Sequence, residues 1–289
     1  PTGIPQLDQK EVLDGGLGRG ELGVVVAPTG VGKSHWLVNM GAEALRRGKT
    51  VVHYTFELSE TLTCKRYDAN LCDIPCSDLI ERKEEVLKHY EDHEYGDLIV
   101  KYYPCRSASV NTIRNHLEKL KLRNYLPSVV VIDYADVMKS TRSYDALRLE
   151  LQLIYEELRQ MAADFNIPVW TASQTNRSGL SAEVITMEQI SEAFNKCFVA
   201  DFIMSVSRTI EDKQNNQGKI FIAKNRNGPD GMVYNIFMDT SNVNIKILPK
   251  TPSLSGNSQT QQIVTTPVAL DSKAQQELLK AKYTKLRRK

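Results

Sequence analysis

The eight residues Ala27-Pro28-Thr29-Gly30-Val31-Gly32-Lys33-Ser34 constrain this chain more than any other stretch. They fit the A/G-x-x-x-x-G-K-[ST] pattern of a phosphate-binding loop joining a buried strand to a helix. The flanks agree with that reading. Leu22 to Val26 is a short apolar run suited to a strand covered on both faces. Trp36, Leu37, Met40, Ala44 and Leu45 then recur at helical spacing as far as Arg46-Arg47-Gly48, where cations and a glycine end the helix. In such a loop backbone N–H groups close around phosphate oxygens, and the helix N-terminus adds partial positive charge. Pro28, Thr29, Gly30, Val31, Gly32, Lys33 and Ser34 are therefore the nucleotide-binding candidates. Lys33 is expected to reach the β- and γ-phosphates of ATP, and the Ser34 hydroxyl to ligate Mg²⁺.

With 289 residues the chain can bury a large core, and its composition is that of an ordinary globular protein. No apolar run approaches the roughly 20 residues a membrane span needs, so no membrane partner is expected. Its 37 Lys and Arg against 35 Asp and Glu leave a net charge of +2, so contact with nucleic acid must be local. The five cysteines, Cys64, Cys72, Cys76, Cys105 and Cys197, are scattered. Cys72-x-x-x-Cys76 lacks a second Cys/His pair at zinc spacing, and reduced, mostly buried thiols of an intracellular protein are the expectation.

Strands and helices alternate, which predicts an α/β fold with a mainly parallel central sheet flanked by helices. Val51 to Thr55 reads as the second strand, with Glu57 just beyond it and a helix through Cys64 to Ala69. Ser77 to about Glu91 reads as a charged helix capped by Ser77, and Ser109 as the cap of a helix carrying Ile113, Leu117 and Leu120. Ser128 to Ile132 is the most continuous apolar strand and ends in Asp133. Leu147, Leu151, Ile154, Leu158 and Met161 mark a long amphipathic helix, and Ile167 to Ala172 a strand ending in Ser173-Gln174. Asp201 to Ser207, Gly218 to Lys224 and Gly231 to Asp239 read as a C-terminal β-hairpin region, with Asn227 to Gly231 as a connector.

These assignments divide the chain into a lead-in linker (1–20), an ATPase motor domain (21–248), a flexible linker (249–272) and a basic amphipathic tail (273–289). The linker is rich in Ser, Thr, Gln and Pro. The tail holds seven Lys/Arg and one Glu, with Leu279, Tyr283 and Leu286 at helical spacing, and suits either a partner protein or nucleic acid.

An acid at the end of a central strand suits Asp133 to hold the Mg²⁺ water shell. Glu57 is the candidate general base that polarises water at the γ-phosphate, and Gln174 a polar sensor of that phosphate. Lys224 and Arg226, two apart on a strand, share a face and project together at its end.

Five ordered stretches resemble the motifs of DnaB-type hexameric replicative helicases: the phosphate loop, Thr55-Phe56-Glu57-Leu58-Ser59 with Arg66, Val131-Ile132-Asp133-Tyr134, Ser173-Gln174-Thr175-Asn176-Arg177, and Ala223-Lys224-Asn225-Arg226-Asn227-Gly228-Pro229. Cys64 to Asn70 and Leu98 to Lys101 are similar to the T-even-like phage members in particular, and the likeness runs from about Gly15 to Asp239. The resemblance implies a RecA-like core forming a homo-hexameric ring, with ATP between neighbours and single-stranded DNA in the channel. It implies an ATP hydrolase and DNA helicase working at a replication fork in the host cytoplasm, with a primase and a helicase loader as partners. Arg66 would contact the nucleotide, and Lys224 and Arg226 would act on the neighbour's ATP. The loops after the Asp133 and Gln174 strands would line the channel, giving Lys139, Arg142, Asn176 and Arg177 as DNA-binding candidates. Gly15-Gly16-Leu17-Gly18-Arg19-Gly20-Glu21 also reads like recombinase or KaiC-type ATPases, so assembly on DNA without unwinding is the alternative. A nucleotide-binding scaffold acting through the tail is a third.

Overall fold

The computed structural model describes residues 1–175, 185 and 197–249. Asn176, Arg177, the 273–289 tail and all but the first residue of the 249–272 linker lie outside the described residues. Among the described residues nine strands form one sheet: β1 (Leu22–Ala27), β2 (Val51–Thr55), β3 (Leu98–Tyr102), β4 (Val129–Asp133), β5 (Val169–Gln174), β6 (Phe202–Ser207), β7 (Gln217–Asn225), β8 (Val233–Asp239) and β9 (Asn244–Ile247). Their order is β3-β2-β4-β5-β1-β6-β7-β8-β9. The strands from β3 to β6 in that order run parallel, whereas β7, β8 and β9 are antiparallel additions.

The helices are α1 (Lys33–Arg46), α2 (Glu60–Cys72), α3 (Lys83–Asp92), α4 (Val110–Leu122), α5 (Leu147–Phe165) and α6 (Ile210–Gln214), with a 3-10 turn at Ala135–Val137. All six residues of β1 are buried. Val25 and Ala27 join the cluster of Trp36, Leu37 and Met40 from α1, while Leu22, Val24 and Val26 join that of Leu117 from α4 and Leu158 from α5. Alternation along the strand therefore feeds both layers of core. Two glycines permit close approach. A Cβ on Gly23 would lie 2.4 Å from the Trp170 ring, and one on Gly41 would lie 2.2 Å from the Tyr67 hydroxyl.

Three expectations differ from what is observed. Residues 1–20, expected as a lead-in linker, contribute Ile4, Leu7, Val12 and Leu13 to the α1-side core, and the Asn225 side chain donates to the Val12 carbonyl at 2.6 Å. The helix expected from Ser77 begins at Lys83, because the Ser77 hydroxyl donates to Asp78 (2.6 Å) rather than capping a helix. Of the cysteines only Cys197 is buried; Cys64, Cys72 and Cys76 are partly exposed and Cys105 is exposed. Ser59, by contrast, caps α2 by accepting from the Leu62 N–H at 3.2 Å.

Asp201 ties the sheet together. Its carboxylate, 4% exposed, accepts the Leu22 N–H of β1 (2.9 Å), pairs with Arg159 of α5 (2.5 Å) and accepts from Arg226 (2.9 Å). Removing it strands two guanidiniums and a buried N–H. Asp201→Ala is expected to lose about 3 kcal/mol or more of stability, whereas Arg226→Met, at a half-exposed position, loses about 1 kcal/mol or less. Urea denaturation of the two variants checks the order.

Candidate nucleotide site

The phosphate loop lies where parallel pairing ends. Ala27 stands opposite Gln174, and Thr55 opposite Asp133. Glu57, Asp133 and Gln174 thus gather at one edge of the sheet, beside the N-terminus of α1. Gly30 (φ 73°) and Gly32 (φ 108°) occupy left-handed conformations that other residues adopt at a cost, and a Cβ on Gly32 would strike Met238 at 2.2 Å. Lys33 Nζ donates to the carbonyls of Ala27 and Pro28, both at 3.3 Å, and sits 5.5 Å from the centre of the Tyr134 ring.

Asp133 is 3% exposed, and its Oδ1 has no hydrogen-bond partner among the described residues. Burial raises its pKa to about 6, and the negative charge of Glu57 adds to this. The Ser34 hydroxyl, which hydrogen-bonds to the carboxyl, and the Arg66 and Lys33 charges oppose it. A buried, unsatisfied carboxylate oxygen beside a serine hydroxyl is the donor set a hard divalent cation takes, so these residues fit Mg²⁺. Gln174 reaches the loop directly. Its Nε2 donates to Thr29 Oγ1 at 2.7 Å, and its Oε1 accepts from the Tyr134 hydroxyl at 3.3 Å. Tyr134 also lies beside Glu57, whose negative charge adds to burial in raising the phenol's pKa, and with its ring near Lys33 it links the expected base, sensor and phosphate lysine.

Lys224 and Arg226 are brought together but held away from this site. Arg226 N–H donates to the Asp201 carbonyl (3.0 Å), and Asp201 N–H to that of Leu22 (2.9 Å), at the start of β1. Six residues of β1, roughly 20 Å, therefore separate the pair from the phosphate loop. Lys224 donates to the Phe198 carbonyl (2.5 Å) and lies 4.4 Å from that ring; burial and then the Arg226 charge lower its pKa. Lys139 and Arg142 line a cavity of about 180 Å³ on the nucleotide side, beyond β4.

Residues 1–243 match the DnaB-like helicase C terminal domain family. The chain belongs to that family. The DnaB-like replicative helicase of Enterobacteria phage T4 is 33% identical over 233 residues, which is 75% of this chain and 48% of that protein. The chain spans about half the length of the curated relatives it matches. A solved structure described as an ATPase domain aligns with a TM-score of 0.72 at 19% identity, over 86% of this chain and 91% of that one. A DnaB-like replicative helicase described with its interactions with primase aligns at 0.71 and 17% identity, over 86% and 61%. The chain thus shares the RecA-like α/β fold of those domains.

In this DnaB-like domain the antiparallel strands bring further groups to the loop that motif reading missed. Lys213 Nζ lies 4.0 Å from where a Gly30 Cβ would stand. His35, bonded to the Thr240 backbone, is held neutral: burial and the Arg66 and Arg208 charges lower its pKa to about 4. No spacing rule links Arg208 or Lys213 to the phosphate loop; only the fold-back of β6–α6–β7 places them there.

The raised pKa of Asp133 carries a sign. A carboxyl that ionises at about 6 when folded and 3.8 when unfolded costs stability once charged, fully above pH 7 and less as the pH falls through 6. Asp133→Asn is expected to stabilise the nucleotide-free protein by about 3 kcal/mol at pH 8, and by about half that at pH 5. Urea midpoints at the two pH values test this; a gain that grows on acidification refutes it.

Proposed function

We propose that this chain is the ATP-driven motor of a replicative DNA helicase, forming a homo-hexameric ring that translocates on single-stranded DNA and unwinds duplex at a fork. The observation that carries the reading is the separation of the two halves of the chemistry. Lys33, Ser34, Glu57, Asp133 and Gln174 occupy one edge of the sheet, and Lys224 and Arg226 the other. Cations that cannot reach their own chain's nucleotide suit a head-to-tail interface, which repeats around a closed ring. Pro28 through Ser34 and Arg66 cradle the triphosphate, and Ser34 and Asp133 hold Mg²⁺. Held there, Mg²⁺ would supply charge neutralisation of the triphosphate. Glu57 accepts a proton from the attacking water, and Gln174 hydrogen-bonds the γ-phosphate. The neighbour's Arg226 and Lys224 stabilise charge in the transfer. Lys139, Arg142, Asn176 and Arg177 pair with DNA phosphates, so sequence preference is weak.

The motor takes in residues 1–20 together with 21–248, with the 249–272 linker leading to the basic tail, a contact for primase or loader. The phage relative supports action in the host cytoplasm, and the primase named with the second solved structure supports that partner. The recombinase-like alternative has weaker support, because the matching family is one of helicases.

The test is complementation. ATP hydrolysis is expected to rise more than linearly with protein concentration and to fall by roughly 10³-fold or more in Arg226→Ala. Lys33→Ala is also inactive alone, but mixing the two variants restores part of the rate, since one subunit supplies the arginine and the other the phosphate loop. A mixture as inactive as its components sinks the trans assignment. Robust hydrolysis that single-stranded DNA neither stimulates nor couples to unwinding sinks the helicase.

A further inference from the structure

Asp136 has no part in the nucleotide chemistry set out above, yet its carboxylate touches both sides of the site. It sits on the 3-10 turn Ala135–Val137, three residues beyond Asp133. That turn is anchored to the sheet by the Ala135 N–H, which donates to Thr171 Oγ1 at 3.1 Å. Asp136 Oδ2 accepts the backbone N–H of Gln174 at 2.9 Å and the Ser173 hydroxyl at 3.4 Å, while Oδ1 accepts the Tyr155 hydroxyl of α5 at 2.8 Å. The side chain of that same Gln174 donates to Thr29 in the phosphate loop. On its other side Asp136 lines the 180 Å³ cavity together with Arg106, Lys139 and Arg142.

Arg106 comes from a loop distant in sequence, and the backbone fastens it there. Its N–H donates to the Val137 carbonyl (2.8 Å), and the Lys139 N–H to that of Ala108 (2.9 Å). The segment after β4 and the loop before α4 are thereby stitched into one body carrying three cations around one cavity; the two carboxylates that also line it are engaged, Asp136 as above and Glu150 by the Tyr144 N–H at 3.1 Å and the Ser143 hydroxyl at 3.5 Å. Three cations of two chain segments suit a polyanion's phosphate better than a small neutral ligand.

We infer that Asp136 is the positioning residue that couples the nucleotide to the DNA, and that Arg106 joins Lys139 and Arg142 in holding a strand phosphate at the cavity. This deepens the motor reading and rests on it. Gln174 is the last residue of β5 and lies beyond that strand's pairing with β4, so when its side chain turns from Thr29 toward a γ-phosphate the strand end, N–H included, is drawn against the Asp136 carboxylate. The carboxylate is held by Tyr155 on a rigid helix, so the displacement passes to the 3-10 turn and hence to Lys139 and Arg142. Coupling between two ligands is a free energy that both must share, and here it has a two-sided hydrogen-bonded element to act through.

The experiment measures the affinity of a fluorescein-labelled oligothymidylate at fixed salt, with and without Mg²⁺ and a slowly hydrolysed ATP analogue. The ratio of the two affinities is the coupling, expected in the wild type at roughly 5- to 150-fold. Asp136→Ala is expected to bring the ratio to within about twofold of unity, and Asp136→Asn, which keeps one acceptor for the Gln174 N–H, to return part of it. Tyr155→Phe, which leaves the fold's packing in place, lowers the ratio to an intermediate value. Arg106→Ala weakens DNA binding alike in both states, reduces its salt slope by about one charge and leaves the ratio unchanged. Wild-type ratios in both Asp136→Ala and Tyr155→Phe overturn the coupling role, and unaltered DNA affinity in Arg106→Ala overturns its phosphate contact. A wild type that binds no oligothymidylate, or binds it equally with and without nucleotide, overturns the motor reading as well.

Discussion

Parallel register is the constraint on which the rest of this structure depends. A parallel ladder sets strand ends side by side, so Ala27, Gln174, Asp133 and Thr55 reach one edge through backbone pairing alone. Burial on both faces then holds the ladder rigid, with alternate residues of β1 committed to opposite cores. The chemistry is placed on that edge by short extensions: one turn of loop for Lys33 and Ser34, two residues for Glu57, none for Asp133 and Gln174. Precision at such a site comes from the rigidity of the strands, since a loop alone would spread the same groups over several ångströms.

Rigidity at that edge has a cost that the site retains. Asp133 is buried with one carboxylate oxygen unsatisfied among the described residues, and Tyr134, His35 and Arg66 are all shifted from their ordinary titration by burial. Well-packed apolar residues in place of this cluster would make a more stable protein with no place for phosphate and metal. The unfavourable term is what the proposed binding site would carry, offset by the two large cores on either side of the sheet.

Legibility followed the range of the interactions. The phosphate loop, Asp133 and Gln174 were readable because each is a polar group ending an apolar run, a pattern complete within a dozen residues. Lys224 and Arg226 were readable as a pair for the same reason. Residues 1–20 were not readable as core, since Ile4, Leu7, Val12 and Leu13 show no sustained helical or strand period and are buried in a cluster assembled from distant elements, with the Asn225 side chain bonded to the Val12 carbonyl. Ser77 misled because an aspartate follows it and takes its hydroxyl locally. Lys213, Arg208, Asp136 and Arg106 escaped because their partners lie across folded-back strands or in other loops. Nothing in their own neighbourhoods records that.

The far edge of the sheet makes the converse point about Asp201. Its carboxylate secures β1 and α5 and also fixes one guanidinium nitrogen of Arg226. A guanidinium carries five donors in a planar fork, so the bond to Asp201 orients the group and leaves others for the proposed contact with a neighbour's phosphate. An arginine so held loses less rotamer entropy on engaging its target than a free one. The same pairing spreads part of its positive charge toward a buried carboxylate, which lessens repulsion from Lys224 two residues away. If Arg226 serves the proposed interface, loss of Asp201 damages folding and that interface together, whereas loss of Arg226 removes the donor and leaves the carboxylate paired to Arg159. That asymmetry separates a residue that builds the domain from one that, in the proposed ring, the domain presents to its neighbour.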